Sequence, residues 1–150
     1  MVHSFFASHP LETLVTLSPE GRPQSAAVYI FIDAGMYCYC VTRKSTRKYN
    51  NVLTHGTALL SAFDENTLMC GELWCDAEVL TVPEEIDRIT FELQRVVASR
   101  RSSYWVPPVS QLEGTGYEII KMRPRSVTFV NYEKSSSDNP EPHKVSFEMS

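Results

Sequence analysis

The chain has 150 residues, 43% of them hydrophobic and 21% charged, which is typical of one globular domain with its own core. Its formal net charge of −4 disfavours binding to nucleic acid or to an anionic membrane. No apolar run approaches the roughly 18 residues of a membrane-spanning helix, and no basic segment followed by an apolar one marks a secretory signal at residues 1–10. We therefore expect a cytoplasmic protein without membrane or nucleic-acid partners.

The four cysteines do not have the spacing of a metal site. Cys38 and Cys40 are separated by one residue and Cys70 and Cys75 by four, whereas structural zinc sites usually use two C-x-x-C pairs. A secreted disulfide scaffold is usually shorter and richer in cysteine. The four histidines are scattered along the chain. We therefore expect reduced thiols in a core and no bound metal.

Turn-forming residues divide the first 41 residues into short apolar segments, which predicts an antiparallel meander. Residues 14–17 form the first predicted strand, and residues 18–23 carry the Pro and Gly of a turn. Residues 24–32 form the second strand, and Asp-Ala-Gly at 33–35 predicts a tight hairpin. Residues 36–41 form the third strand, because Tyr and the small Cys suit a pleated surface.

Two segments have helical spacing of their apolar residues. The first is 45–53, with Ser45 as the predicted N-cap and Gly56 just past its end. The second begins at Pro83, followed by acidic residues that suit a helix N-terminus. One apolar stripe marks this second helix: Ile86, Ile89, Leu93, Val96 and Val97.

The remaining segments again predict strands. Residues 57–63 and 68–81 form the fourth and fifth strands, the latter with a bulge near Gly71. Strands at 117–122 and 126–132 are joined by Arg-Pro-Arg. The strands follow one another too closely for parallel crossovers, so we predict a mainly β fold with helices, a six- to seven-stranded antiparallel split β-barrel. It occupies residues 1–132, and residues 133–150 form a polar, mobile tail.

The basic segment at 42–51 carries the strongest chemical signal. Four cations fall within six residues at the start of a predicted helix: Arg43, Lys44, Arg47 and Lys48. The positive end of the helix dipole disfavours cations there. A bound phosphate would offset the repulsion between these cations and the helix dipole, because it binds the free N–H groups of the first turn as well as the basic side chains. The alternatives are a solvated basic face without a ligand and a nucleic-acid patch.

The order of these pieces resembles the pyridoxamine 5′-phosphate oxidase-like flavoproteins. The similar features are a Gly-Arg-Pro turn at 21–23 between two strands, an aromatic strand at 37–42, and T-x-x-S-x-x-K-x-x-N at 42–51. A long strand ending in Ala-Glu-Val-Leu at 77–80 and followed by Pro-Glu-Glu also resembles the family. The resemblance covers about residues 7–132. It implies an FMN-binding homodimer of split barrels with the flavin at the subunit interface.

The same resemblance assigns cofactor-binding roles to individual residues. Arg47 and Lys48 would hold the flavin phosphate, with Thr42 and Ser45 nearby and Asn51 supporting the loop. The flavin ring would lie along the strands at Ala26, Ala27, Val28, Tyr29 and Val41. The partner subunit would contribute Cys70, Glu72 and Trp105.

The chain also departs from the true vitamin-B6 oxidases. Cys70 stands where they carry Gln, Val130 lies near the position of a Trp, and the tail lacks their Arg-rich segment. The resemblance therefore points to the short general-stress-like or flavin-reductase members. No catalytic residue is identifiable, because Glu72, Asp76 and Glu78 alternate along one strand face as an exposed polar row.

The predicted function is an FMN-dependent oxidoreductase acting on an unidentified small molecule or electron donor. Two alternatives use the same barrel. One is a protein without enzymatic activity that binds or senses flavin or haem, and the other is a deazaflavin-dependent reductase.

Overall fold

The computed structural model describes residues 1–100, 116–134 and 141–149, which contain three α-helices and eight β-strands. The helices are α1 (Val2–Ser8), α2 (Arg47–His55) and α3 (Pro83–Ala98). The strands are β1 (Leu11–Leu17), β2 (Pro23–Tyr29), β3 (Phe31–Ile32), β4 (Cys38–Arg43), β5 (Thr57–Asp64), β6 (Met69–Val79), β7 (Tyr117–Asn131) and β8 (His143–Glu148). A short 3-10 turn, Tyr132–Lys134, follows β7.

All eight strands belong to one antiparallel sheet with the order β2-β1-β5-β6-β7-β4-β3, and β8 pairs with β7. β2 and β3 stand at opposite ends of this order, yet only Ile30 separates them along the chain. The sheet must therefore curl until its two ends meet. This arrangement confirms the predicted split β-barrel.

The concave side of the sheet encloses the larger of two apolar clusters. Leu60, Leu73 and Val127 are completely buried there, because strand alternation turns every second side chain inward. β4 is buried on both faces. Its Cys40 faces the barrel interior, whereas Tyr39 belongs to a second cluster in which α3 covers the outside of the sheet.

α1 closes one opening of the barrel and explains a glycine in β6. Phe5 and Phe6 are buried, and a Cβ atom on Gly71 would lie only 2.7 Å from the ring of Phe6. The glycine is therefore needed for close packing, whereas the sequence suggested a bulge there. The pairing of β6 with β7 instead shifts register between Trp74 and Cys75, where β7 carries the additional residue, Arg125.

β7 is one continuous strand of 15 residues where the sequence predicts two strands joined at Arg-Pro-Arg. One edge of β7 pairs with β6 over nearly its whole length. The other edge pairs with β4 through residues 117–122 and with β8 through residues 126–131. Pro124, which has no N–H to donate, falls between these two partners, so the proline does not interrupt a ladder on that edge.

β8 lies within the segment 133–150 for which the sequence predicts a polar tail. Five of its six residues are exposed, with only Val145 partly buried. Val145, Phe147 and Met149 do alternate with polar residues, but they lie in a segment rich in Ser, Pro and charged residues, and the sequence analysis did not recognise the alternation as a strand. β8 covers the part of the β7 edge that β4 leaves unpaired.

Candidate functional site

The start of α2 is positioned by a turn after β4 that involves two hydroxyl groups. Thr46, not the predicted Ser45, is the N-cap, and its hydroxyl donates to the carbonyl of Arg43 at 2.8 Å. The hydroxyls of Thr42 and Thr46 lie 2.7 Å apart. Because Thr46 is turned towards the preceding turn, no side chain caps α2, and its first turn contains no acidic residue. The first-turn amides therefore remain suited to an anion.

The four cations of this segment separate into two pairs. Arg43 packs over the ring of Tyr117 and donates to its hydroxyl at 3.1 Å, and Lys44 forms an ion pair with Glu118 at 3.2 Å. β7 thus engages the first pair. Within the part of the chain that the structure describes, Arg47 and Lys48 form no ion pair. The second pair is the one for which the sequence predicts phosphate binding.

Asn51 anchors α2 from the inside of the fold. Its side chain is buried and donates hydrogen bonds to Thr16 on β1 at 3.0 Å and to Gln24 on β2 at 2.9 Å. A buried amide with two partners fixes the helix relative to both strands. Asn51 therefore positions the start of α2 instead of facing an external ligand.

A cavity of about 60 Å³ lies beside Lys48, between α2, α3 and the sheet. Its lining includes five residues that the sequence assigns to the cofactor: Ala27, Val28, Tyr29, Val41 and Lys48. Leu93 and Val97 of α3 complete the lining. The sequence had placed these two only in the apolar stripe of a packing helix, because core and ligand contacts produce the same periodicity. Ala26 does not line the cavity; it pairs with the inward-facing Leu14.

The cavity is much smaller than the roughly 300–1,000 Å³ of ordinary ligand pockets. A ring system as large as a flavin could place only part of its surface there. The rest of such a ligand would extend beyond the cavity, where a second protein surface could cover it.

Cys70 and Glu72 do not join this cavity. The amide of Ala77 donates to the carbonyl of Gly56, at the end of α2, so that end of β6 adjoins the helix. Cys70 lies seven residues earlier on β6, which corresponds to about 23 Å. Trp105 falls outside the described residues.

Cys70 and Glu72 instead belong to an outer face formed by β1, β5 and β6. Strand pairing places Leu59 opposite Trp74, Ser61 opposite Glu72 and Phe63 opposite Cys70. Trp74 and Phe63 are 57% and 59% exposed, and Leu11 on β1 is 55% exposed. We call this surface the β1-β5-β6 face.

The barrel interior contains an acid without a partner. Glu12 is 3% exposed, and neither carboxylate oxygen has a hydrogen-bond partner among the described residues. Burial raises the pKa of Glu12 to about 9. The thiols of Cys38, Cys40 and Cys75 are buried in the same interior, where burial raises the pKa of Cys40 and of Cys75 to about 12. At neutral pH these groups are therefore protonated and uncharged.

The described residues contain no group of three or more His, Cys, Asp and Glu side chains that could hold a metal ion. In the same part of the chain, every helix is too short or too polar to cross a bilayer.

No protein-family model matches the chain, and no curated protein matches its sequence. Solved structures do resemble it. A pyridoxamine 5′-phosphate oxidase-related FMN-binding protein from Nostoc punctiforme is 11% identical with a TM-score of 0.63, over 98% of this chain and 92% of that chain. The chain has the split-barrel fold of that protein. A Clostridium acetobutylicum protein related to general stress protein 26 is 13% identical with a TM-score of 0.69, over 99% and 92% of the two chains.

Other split barrels with this fold bind different ligands. An F420 reductase is 20% identical with a TM-score of 0.65, over 85% of this chain and 96% of that chain. A haem-binding protein from Mycobacterium smegmatis is 17% identical with a TM-score of 0.70, and this chain spans 54% of its length. Identities this low establish a shared fold only, so the ligand must be argued from the residues.

Proposed function

We propose that the protein binds FMN and acts as a cytoplasmic oxidoreductase on a small molecule. The observation that carries the proposal is the position of Lys48, which lines the cavity beside β2 and β4 and also belongs to the uncapped first turn of α2. A flavin with a terminal phosphate has a planar apolar part for the cavity and a dianion for the helix start. FMN-binding proteins among the similar structures support this choice.

Different residues would bind the phosphate and the ring of FMN. Arg47 and Lys48, the first-turn amides of α2 and the hydroxyl of Ser45 would hold the phosphate. Ala27, Val28, Tyr29 and Val41 would contact the ring together with Leu93 and Val97 of α3. When bound, the flavin supplies the redox chemistry, and the protein orients it and limits access of water.

We also propose that two copies of the chain associate through the β1-β5-β6 face. The cavity in one chain is too small for a flavin, and the predicted flavin contacts Cys70 and Glu72 lie on this face, far from the chain's own α2. Three large apolar side chains are more than half exposed there: Leu11, Phe63 and Trp74. Association would bury them and bring Cys70 and Glu72 of one copy to the flavin of the other.

The first test compares FMN with riboflavin, which has the same ring but no phosphate. The full chain is incubated with each, desalted, and examined by visible absorption and light scattering. We expect retention of about one FMN per chain, loss of most of the riboflavin, and the mass of two chains. A folded protein that loses FMN on desalting would contradict the proposal, and retention of haem or F420 in its place would favour one of the alternative ligands.

The proposed interface has its own test. Replacing Phe63 with Lys should produce a monomer that no longer retains FMN, because a charge would have to be buried between the copies. Phe91→Lys is the matched control, since Phe91 on α3 is 57% exposed but lies off the β1-β5-β6 face and outside the cavity. By light scattering, the Phe63→Lys protein should have the mass of one chain and the Phe91→Lys protein the mass of two. A Phe63→Lys protein that remains dimeric would exclude this face as the interface.

A further inference from the structure

A second cavity lies near the start of α3. Its volume is about 270 Å³, and its lining comes from β6, β7 and the residue before β4: Tyr37, Asp76, Ala77, Glu78, Lys121 and Arg123. Lys121 donates to Glu85 in the first turn of α3 at 2.8 Å, which places the cavity at that end of the helix. Leu93, in the lining of the smaller cavity, is eight residues further along α3, or about 12 Å. No described residue lines both cavities.

Charges of opposite sign lie side by side in the lining of this second cavity. Asp76 on β6 pairs directly with Arg123 on β7, and Glu78 pairs directly with Lys121. Two of these four charges already have partners elsewhere. Lys121 is held by Glu85 and lies over the Tyr37 ring at 5.0 Å, while Asp76 accepts hydrogen bonds from Arg125.

The other two charges are available to a ligand. Glu78 and Arg123 line the cavity, and neither forms an ion pair with any residue in the described ranges. They occupy diagonal positions on neighbouring strands, where Cα atoms are about 7–8 Å apart. A purely anionic ligand would be repelled by Glu78, and a purely cationic ligand by Arg123. The cavity therefore favours a molecule that carries both charges.

Size and the apolar part of the lining narrow the ligand further. The cavity is slightly smaller than the roughly 300 Å³ at which pockets for drug-sized ligands begin. Tyr37 contributes aromatic surface beside the charged pair, whereas Ala77 borders the cavity with its backbone because its side chain is buried in the barrel interior. We propose that this cavity binds an α-amino acid with an apolar or aromatic side chain. The carboxylate accepts hydrogen bonds from Arg123, the ammonium group donates to Glu78, and the side chain contacts Tyr37.

The experiment is equilibrium dialysis of the full chain against labelled L-phenylalanine. Two further probes carry the same ring with one charge each, phenethylamine with only the ammonium group and 3-phenylpropionate with only the carboxylate. We expect L-phenylalanine to bind several-fold more tightly than either, because Glu78 and Arg123 are exposed and each contact to an exposed charge contributes up to about 1 kcal/mol. Glu78→Gln and Arg123→Gln should each weaken L-phenylalanine binding by a similar factor.

Glu20→Gln and Arg22→Gln are the matched controls, because both side chains are exposed in the turn between β1 and β2 and neither lines the cavity. They should bind L-phenylalanine as the unmodified chain does. The proposal is overturned if L-phenylalanine does not bind up to its solubility limit, if the cavity variants bind it unchanged, or if a singly charged probe binds equally well. No flavin enters this measurement, so its result is independent of FMN binding.

Discussion

Replacing Arg47 and Lys48 together with alanine should weaken FMN binding by about 100-fold or more. Hydrogen bonds to charged groups contribute about 1.5–3 kcal/mol each, and two such losses correspond to at least two factors of ten in the dissociation constant. The measurement is a titration of FMN fluorescence with each protein. The same substitutions should weaken riboflavin binding less, because riboflavin has no phosphate for Arg47 and Lys48 to contact.

The chain offers a control with the same number of charges removed from the same segment. Arg43 and Lys44 are already engaged by Tyr117 and Glu118, so Arg43→Ala combined with Lys44→Ala should change FMN affinity much less. This comparison separates a local phosphate site from general attraction by a basic surface. Equal losses in the two double variants would contradict the assignment of the phosphate to Arg47 and Lys48.

Replacing Glu12 with Gln should raise the free energy of unfolding at pH 7 by about 3 kcal/mol. The carboxyl has a pKa of about 9 in the folded chain and an ordinary value of 4.5 when unfolded. The folded state therefore holds its proton more tightly, and stability falls as pH rises from 4.5 to about 9. pH 7 lies 2.5 units above the unfolded pKa of 4.5, and each of these units lowers the free energy of unfolding by about 1.4 kcal/mol. Glutamine cannot ionise, so the variant lacks this loss.

The measurement is urea unfolding of both proteins at several pH values. The gain should be small near pH 4, grow up to about pH 9, and then level off. Glu65→Gln, in the exposed turn between β5 and β6, is the control and should show no such gain. A gain that does not change with pH would show that Glu12 is not protonated in the folded chain.

The sequence predicted what depends on local pattern and failed where tertiary packing decided the outcome. The basic helix start at 42–51 and the apolar stripe of α3 were visible because their spacing and charge are local properties. Glu12 was not recognised as buried, because it lies before the first predicted strand at 14–17 and acids are usually exposed. Its burial follows only from the pairing with Val28 and the curl of the sheet around both.

In the candidate site, too, local features were predictable from the sequence and features that depend on tertiary packing were not. The Thr42-to-Asn51 motif could be quoted from the sequence, but the engagement of Arg43 and Lys44 by β7 could not, since 74 residues separate Arg43 and Tyr117. Leu93 and Val97 were recognised as apolar, yet their place beside Lys48 depends on how α3 crosses the sheet. The cavity at Tyr37 and Arg123 likewise combines side chains that only the completed sheet brings together.

The position of β7 in the sheet also sets the order in which the barrel can assemble. β1, β2, β5 and β6 can pair among themselves as soon as they are synthesised, but among the described strands β4 pairs only with the two-residue β3 and with β7. The ladder between β4 and β7 can form only after Met122, the partner of Cys38 and 84 positions later in the chain, has been synthesised. Contacts this distant in sequence form slowly, because a long loop must close first. On the ribosome the nascent chain therefore exposes the unpaired edge of β4 until β7 emerges, and during that interval it is most exposed to aggregation and to chaperones.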